Sequence, residues 1–88
     1  MAWRAELSDT AERQLVKLPK DARRRIGLAI DILEVDPFQG NTIPLKGRLW
    51  HGRYRKRVGR YRIIFVLYPE THIVKISAIL LRDEKTYR

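Results

Sequence analysis

A run of basic and aromatic residues at positions 46–62 is the part of this sequence best suited to chemistry. It holds eight Lys or Arg residues, and no Asp or Glu lies between Asp36 and Glu70. The run continues directly into the apolar segment Ile-Ile-Phe-Val-Leu-Tyr at 63–68. The charge therefore belongs to a folded sheet that holds its side chains in a fixed pattern, unlike a disordered basic tail. This pattern predicts a polyanion as the partner.

The segment before the run predicts one strand and two helices. Apolar and polar side chains alternate at 3–7, which is typical of a strand with one buried face. Ser8 or Asp9 then caps a helix that Pro19 ends. Asp21 can cap a second helix, which ends at the next Asp-Pro step in the chain. The two helices form a hairpin whose apolar seam must face another layer.

Three further strands are predicted after a loop at 37–44. They lie at 53–58, 61–68 and 72–80, and the short turns between them make both pairs antiparallel hairpins. With the first strand they give an α+β fold, in which a small four-stranded antiparallel sheet is covered on one face by an N-terminal helical hairpin. The whole chain, residues 1–88, is predicted to be one domain.

Alternation along the strands predicts which side chains leave the face that the helices do not cover. Burying the most apolar area turns Tyr54 and Val58 of the second strand towards the helices, together with Lys56. In the last strand the apolar set Val74, Ile76, Ala78 and Leu80 is predicted to face the helices. The open face then carries a groove of basic side chains: Arg53, Arg55, Arg57, Arg62 and Lys75.

The net charge and amino-acid composition limit the kinds of function that this protein can have. The 88 residues carry a net charge of +9 and a pI near 10.5, which attracts nucleic acid or an acidic protein segment. The sequence has neither a transmembrane run nor a signal-peptide core, so a cytoplasmic protein with no membrane partner is expected. It contains no Cys and only two His, so neither a metal nor another cofactor is predicted.

The order of elements and several motifs resemble the RelE/ParE toxin superfamily. The motifs are Leu-Lys-Gly at 45–47, Gly-Arg-Tyr-Arg-Lys-Arg-Val-Gly-Arg-Tyr-Arg-Ile-Ile-Phe at 52–65, Ile-Ser-Ala-Ile-Leu-Leu-Arg at 76–82, and the final Tyr-Arg. The resemblance implies the toxin of a type II toxin–antitoxin pair, bound by an acidic antitoxin in a higher-order complex. RelE-like members cut mRNA in the ribosomal A site, whereas ParE-like members poison DNA gyrase; the RelE-like activity is the expectation here.

The resemblance also implies site residues. A RelE-like catalytic set falls on Arg55, Arg57, Arg62, Arg82 and Tyr87. Further nucleic-acid contacts are predicted for Lys46, Arg48, Arg53, Lys56, Arg60 and Lys75. The plain alternative for the arginines is a solvated basic sheet face, and for Arg82 and Tyr87 it is a frayed end of the chain.

Metal-free RNA cleavage requires a base, stabilisation of a crowded phosphorane and protonation of the leaving oxygen. Arginines suit the middle task, because their planar forks hold phosphate oxygens and remain charged. They are poor bases, and well-known ribosome-dependent members have lysines where this chain has Arg55 and Arg57. Either Lys46, Lys56 or His51 is the base, or positioning by the ribosome supplies most of the rate. Tyr87 can stack on a base or donate a proton.

A binding module without catalysis is the remaining alternative. Trp50 and Tyr54 could stack on RNA bases, although alternation places Tyr54 in the core. The Arg-Arg-Arg run at 23–25 on the second helix is read as a solvated face that could add a phosphate contact.

Overall fold

The computed structural model describes residues 2–39, 42–44 and 52–81, and these form two helices and a five-stranded mixed sheet. The strands are β1 (Arg4–Leu7), β2 (Thr42–Pro44), β3 (Arg53–Val58), β4 (Tyr61–Tyr68) and β5 (Ile73–Leu81), and the helices are α1 (Asp9–Val16) and α2 (Lys20–Val35). Their order across the sheet is β1-β5-β4-β3-β2. Within the described residues, no helix is long and apolar enough to cross a bilayer.

The prediction of four antiparallel strands is wrong in two respects. β1 pairs with β5 in parallel, and β2 adds a fifth strand, antiparallel to β3, at the opposite edge. A three-residue edge strand that ends in proline has no periodicity to detect, and the direction of β1 depends on a partner more than 60 residues away. The helices nevertheless lie on one face of the sheet, as expected.

The helix ends follow local chemistry, with one correction. Ser8 caps α1, since its hydroxyl accepts a hydrogen bond from the backbone N–H of Ala11 at 3.1 Å. Asp21 does not cap α2: that helix begins at Lys20 after Pro19, and Asp21 lies in its first turn. The predicted end at Asp36 is confirmed.

The core lies between the helices and one face of the sheet. It contains buried residues of α1 and α2 packed on those of the central strands: Ala11, Ile26, Ala29, Ile30, Leu33, Ile63, Phe65, Val74, Ile76 and Ile79. Tyr54 packs against this cluster and stacks on Phe65, with ring centroids 5.8 Å apart. The prediction that alternation places Tyr54 in the core is therefore confirmed.

A β-bulge at Ser77 changes the face assignments of β5. Phe65 of β4 pairs with Ile76 but Ile64 pairs with Ala78, which leaves Ser77 as the extra residue. From this point the alternation is reversed, so that Ile79 enters the core. The prediction that Ala78 and Leu80 face the helices is wrong: they pair with Ile64 and Arg62 on the open face.

The bulge is held in place by the chain around the start of α1. Ser8 Oγ donates to the backbone carbonyl of Ser77 at 3.0 Å, and the side-chain oxygen of Gln14 accepts the N–H of Ile79 at 2.7 Å. β1 has ended at Leu7, so these side chains replace the strand partner that β5 would otherwise lack. β5 itself starts at Ile73, because His72 has a positive φ of 54° and lies in the turn.

Candidate nucleic-acid interface

Three rows of side chains cross the open face of the sheet, and each contains an arginine of β3. Arg53 lies in register with Val66 and Lys75, Arg55 with Ile64 and Ala78, and Arg57 with Arg62 and Leu80. The five basic side chains predicted for this face are therefore all on it. They lie on the three adjacent strands β3, β4 and β5.

Arg53 is fixed by a polar contact across the sheet. Its Nη1 donates to Ser77 Oγ at 3.2 Å in a partly buried position. The bulge makes this contact possible, because it inserts Ser77 between residues that pair regularly with β4. Strand alternation places Ser77 on the same face as Lys75, but it does not predict the hydrogen bond with Arg53.

Arg55 occupies the middle row and is only partly exposed. Its Nη1 is buried and, within the described residues, has no hydrogen-bond acceptor. Its cross-strand partner Ile64 is 2% exposed although it faces away from the helices. A guanidinium nitrogen in such a position lacks the partner that buried polar groups normally have.

Arg57 and Arg62 are directly opposite each other on β3 and β4. Like charges in such a pair destabilise a sheet. The two-residue turn Gly59-Arg60 closes this hairpin, and the φ of +56° at Gly59 fits the turn type that favours glycine at its first central position. The tight turn thus places the two arginines together at one end of the groove.

The β1 side of the open face differs in charge. Glu6 is in register with Lys75, and its carboxylate forms an ion pair with Arg4 at 3.2 Å. The absence of acidic residues around the basic run in the sequence therefore does not extend to the whole face. The net positive part of this face is on β3 and β4.

Lys56 is separated from the other predicted contacts. It is 8% exposed, and its Nζ donates to the backbone carbonyl of Gln39 at 3.3 Å. Lys56 alternates with Arg55 and Arg57 on β3 and so lies on the helix face. This position excludes it from the open-face groove, both as a phosphate contact and as a candidate base there. Arg60 is exposed in the turn of the hairpin.

Several predicted residues lie outside the described part of the chain. They are Lys46, Arg48, Trp50, His51, Arg82 and Tyr87. The structure thus brings together Arg53, Arg55, Arg57, Arg62 and Lys75.

The described groove can bind and polarise a phosphodiester, because it presents several guanidinium groups beside the apolar residues Ile64, Val66, Ala78 and Leu80. Such groups stabilise the extra negative charge of a phosphorane and need no proton transfer to do so. Its central and hairpin rows, which carry Arg55, Arg57 and Arg62, contain no carboxylate, imidazole or amine among the described residues. These rows are therefore suited to charge stabilisation and not to general base catalysis.

Comparison with known proteins agrees with this fold. The family model for the ParE toxin of the type II toxin–antitoxin system parDE matches residues 5–86. Searching the curated proteins gives no match.

Three solved complexes contain chains similar to this one. The RelBE2 toxin–antitoxin complex of Mycobacterium tuberculosis is similar at 26% identity and a TM-score of 0.83, over 93% of this chain and 100% of that one. The archaeal RelE–RelB complex of Pyrococcus horikoshii is similar at 30% identity and a TM-score of 0.79, over 97% and 100%. The RelB–RelE complex of Methanococcus jannaschii is similar at 26% identity and a TM-score of 0.69, over 86% and 88%. Because the family model covers nearly the whole chain, this protein belongs to the ParE toxin family of type II toxin–antitoxin systems, within the RelE/ParE superfamily.

Proposed function

We propose that this toxin is a metal-independent endoribonuclease that cleaves mRNA in the ribosomal A site and so inhibits translation in the cytoplasm. The observation that carries the proposal is the open-face arginine groove, in which Arg53, Arg55, Arg57 and Arg62 lie on the adjacent strands β3 and β4. The similarity to two RelE chains over more than nine-tenths of this chain supports the same branch of the superfamily.

In this proposal the groove stabilises the transition state. Arg55 and Arg62 hold the non-bridging oxygens of the scissile phosphate, and Arg57 adds charge at the hairpin end. Arg53, fixed by Ser77, contacts a neighbouring phosphate of the mRNA. Arg82 and Tyr87 belong to the proposed catalytic set from the family resemblance, Tyr87 as the group that orients the nucleotide or protonates the leaving oxygen.

In this proposal, positioning of the mRNA by the ribosome compensates for the absence of a general base among the described groove residues. Lys56 bonds a carbonyl on the opposite side of the sheet, so the candidates for a protein base are reduced to Lys46 and His51. If the ribosome holds the mRNA in a conformation close to in-line attack, much of the entropic part of the cleavage barrier is removed before the toxin acts. In favourable intramolecular reactions this effect lowers the barrier by up to about 7–11 kcal/mol. The proposal therefore predicts little cleavage of free RNA.

An antitoxin is the proposed protein partner, since the three similar toxin chains are in complexes with antitoxins. The surface of α2 supports this. Leu28, Ile32 and Val35 are exposed and recur at the helical spacing of four and three residues, opposite the buried face of the same helix. An antitoxin with an apolar segment for α2 and an acidic segment for the arginine groove would cover both, and higher-order complexes would follow from antitoxin association.

Gyrase poisoning is the second candidate, because the matching family model is named for ParE. For that function the groove arginines are nonessential and an intact surface for gyrase is essential. A supercoiling assay with purified gyrase distinguishes it directly.

The test of the proposed function is primer extension on a defined mRNA incubated with the purified chain, with and without programmed ribosomes. Cleavage at the A-site codon only when ribosomes are present is the expected result. A folded chain that leaves the mRNA intact in both reactions contradicts the proposal, and inhibition of supercoiling by the same preparation would then assign the gyrase function. Binding of RNA without either activity would identify a non-catalytic module.

A further inference from the structure

The turn between β3 and β4 is in close contact with an arginine of the helix layer. A Cβ at Gly59 would lie 3.3 Å from Arg25 Nη2, 3.6 Å from its Cζ and 3.7 Å from its Nη1. Three guanidinium atoms at similar distances mean that the planar group of Arg25 covers the position that a Cβ would occupy at Gly59. Arg25 belongs to α2, so its side chain reaches the tip of the hairpin from the side opposite the arginine groove.

Arg25 differs in its partners from the arginine next to it. Arg24 forms an ion pair with Asp21 one turn earlier, at 3.3 Å. Within the described residues Arg25 forms no ion pair with a carboxylate, since the two pairs found there are Arg24–Asp21 and Arg4–Glu6. Arg57 and Arg60 are exposed on the same hairpin, so the tip concentrates positive charge that the described residues do not neutralise.

The arginines around the hairpin tip are spread over more surface than one phosphate can contact. Arg57 leaves the sheet on the open face, Arg60 lies in the turn, and Arg25 approaches from the helix layer. A single phosphate cannot contact both sides of a sheet, whereas a strand of linked phosphates passing the hairpin tip can. None of the large exposed apolar side chains lies within residues 53–62, which disfavours a protein segment as the occupant because such a segment would normally bury some apolar surface.

We infer that Arg25 and Arg60 form a second phosphate-binding site around the β3–β4 hairpin tip, next to Arg57 of the groove, and that this site holds the RNA backbone outside the position of cleavage. The inference deepens the proposed function, because it rests on RNA being the polyanion that this toxin binds. The guanidinium of Arg25 is held against Gly59, so little side-chain freedom is lost when a phosphate binds. These arginines would contact the RNA phosphates and would therefore show no preference for base sequence.

The test compares Arg25→Gln with Arg24→Gln, two neighbouring arginines that lose the same charge by the same substitution. The probe is a labelled 2′-O-methyl RNA oligonucleotide, which the toxin cannot cleave, and affinity is measured as a function of salt. Losing one phosphate contact is expected to lower the slope of log K against log salt by about 0.7 and to weaken binding several-fold. Arg24→Gln is expected to change the slope by much less, and Arg25→Lys to restore most of it.

Each outcome supports or overturns the inference. A slope for Arg25→Gln that matches that of Arg24→Gln overturns it. A folded Arg25→Gln protein that loses antitoxin affinity while its RNA slope stays unchanged also overturns it, and assigns the site to an acidic protein. The primer-extension result is independent of this test. Absence of cleavage together with a reduced salt slope for Arg25→Gln would refute the nuclease function and support the phosphate site. Cleavage together with an unchanged slope would support the nuclease function and refute the phosphate site.

Discussion

The two faces of strand β3 differ in the partners of their basic side chains. On the helix face, Lys56 is buried and bonds the carbonyl of Gln39, between two aromatic or aliphatic neighbours that pack on the core. On the open face, Arg53, Arg55 and Arg57 lie in three adjacent rows, and the rows of Arg53 and Arg57 each contain one further basic residue. The face that the helices cover satisfies the charge of Lys56 internally, while the open face carries the arginines that we propose bind RNA.

The difference shows how one short strand can serve both folding and function. Alternate residues of β3 contribute to a core that must exclude unsatisfied charge and to a basic surface that we propose binds RNA. The arginines of the open face therefore add little to stability, whereas Tyr54 and Val58 on the helix face pack against the core. Substitutions on the two faces should accordingly affect different measurements.

The largest effect on stability is expected from the core. Phe65→Ala removes the largest fully buried side chain, with an expected loss of about 3–5 kcal/mol in the free energy of unfolding. Urea denaturation followed by circular dichroism measures it. Tyr68→Ala is the matched control, because Tyr68 is an exposed aromatic on the other face of the same strand, and its loss should cost less than about 1 kcal/mol. Equal losses would show that the open face also contributes a core.

The largest effect on activity is expected from the groove. Arg62→Glu should lower ribosome-dependent cleavage by about 100-fold or more and abolish growth inhibition, because the reversed charge repels the phosphate where stabilisation is needed. Arg13→Glu is the control, since it makes the same charge change at an exposed position of α1. Full toxicity of a folded Arg62→Glu protein would remove the groove from the active site.

A smaller effect is expected when Lys56 and Arg57, which are neighbours in β3 but lie on opposite faces, are each replaced by methionine. Lys56→Met should leave RNA affinity and its salt dependence unchanged, and it should alter the free energy of unfolding by only about 1 kcal/mol, because apolar packing replaces a buried charge–carbonyl bond. Arg57→Met, one position further along the strand, should weaken RNA binding several-fold and lower the salt slope by about 0.7. Fluorescence anisotropy at several salt concentrations measures both; similar slopes for the two variants would contradict the division between the faces.

Local patterns predicted the β3–β4 hairpin and its arginine face. The bounds 53–58 and 61–68 are those observed, because a two-residue turn with glycine at its first central position fixes the register of the strands. The groove on β3 and β4 follows from that register and from alternation alone. The contact between Arg25 and Gly59 could not be predicted in this way, since no short-range rule relates a helix residue to a turn more than 30 positions later.

Short-range patterns were enough to predict the helices, the central antiparallel strands and the side of the sheet on which the arginines of β3 and β4 lie, because helix caps, turns and strand alternation act over a few residues. The parallel pairing of β1, the edge strand β2, the bulge at Ser77 and the position of Glu6 beside Lys75 became known from the folded chain. These depend on contacts between distant segments. The bulge in particular reverses alternation within one strand, and it is supported by the side chains of Ser8 and Gln14 more than 60 residues away.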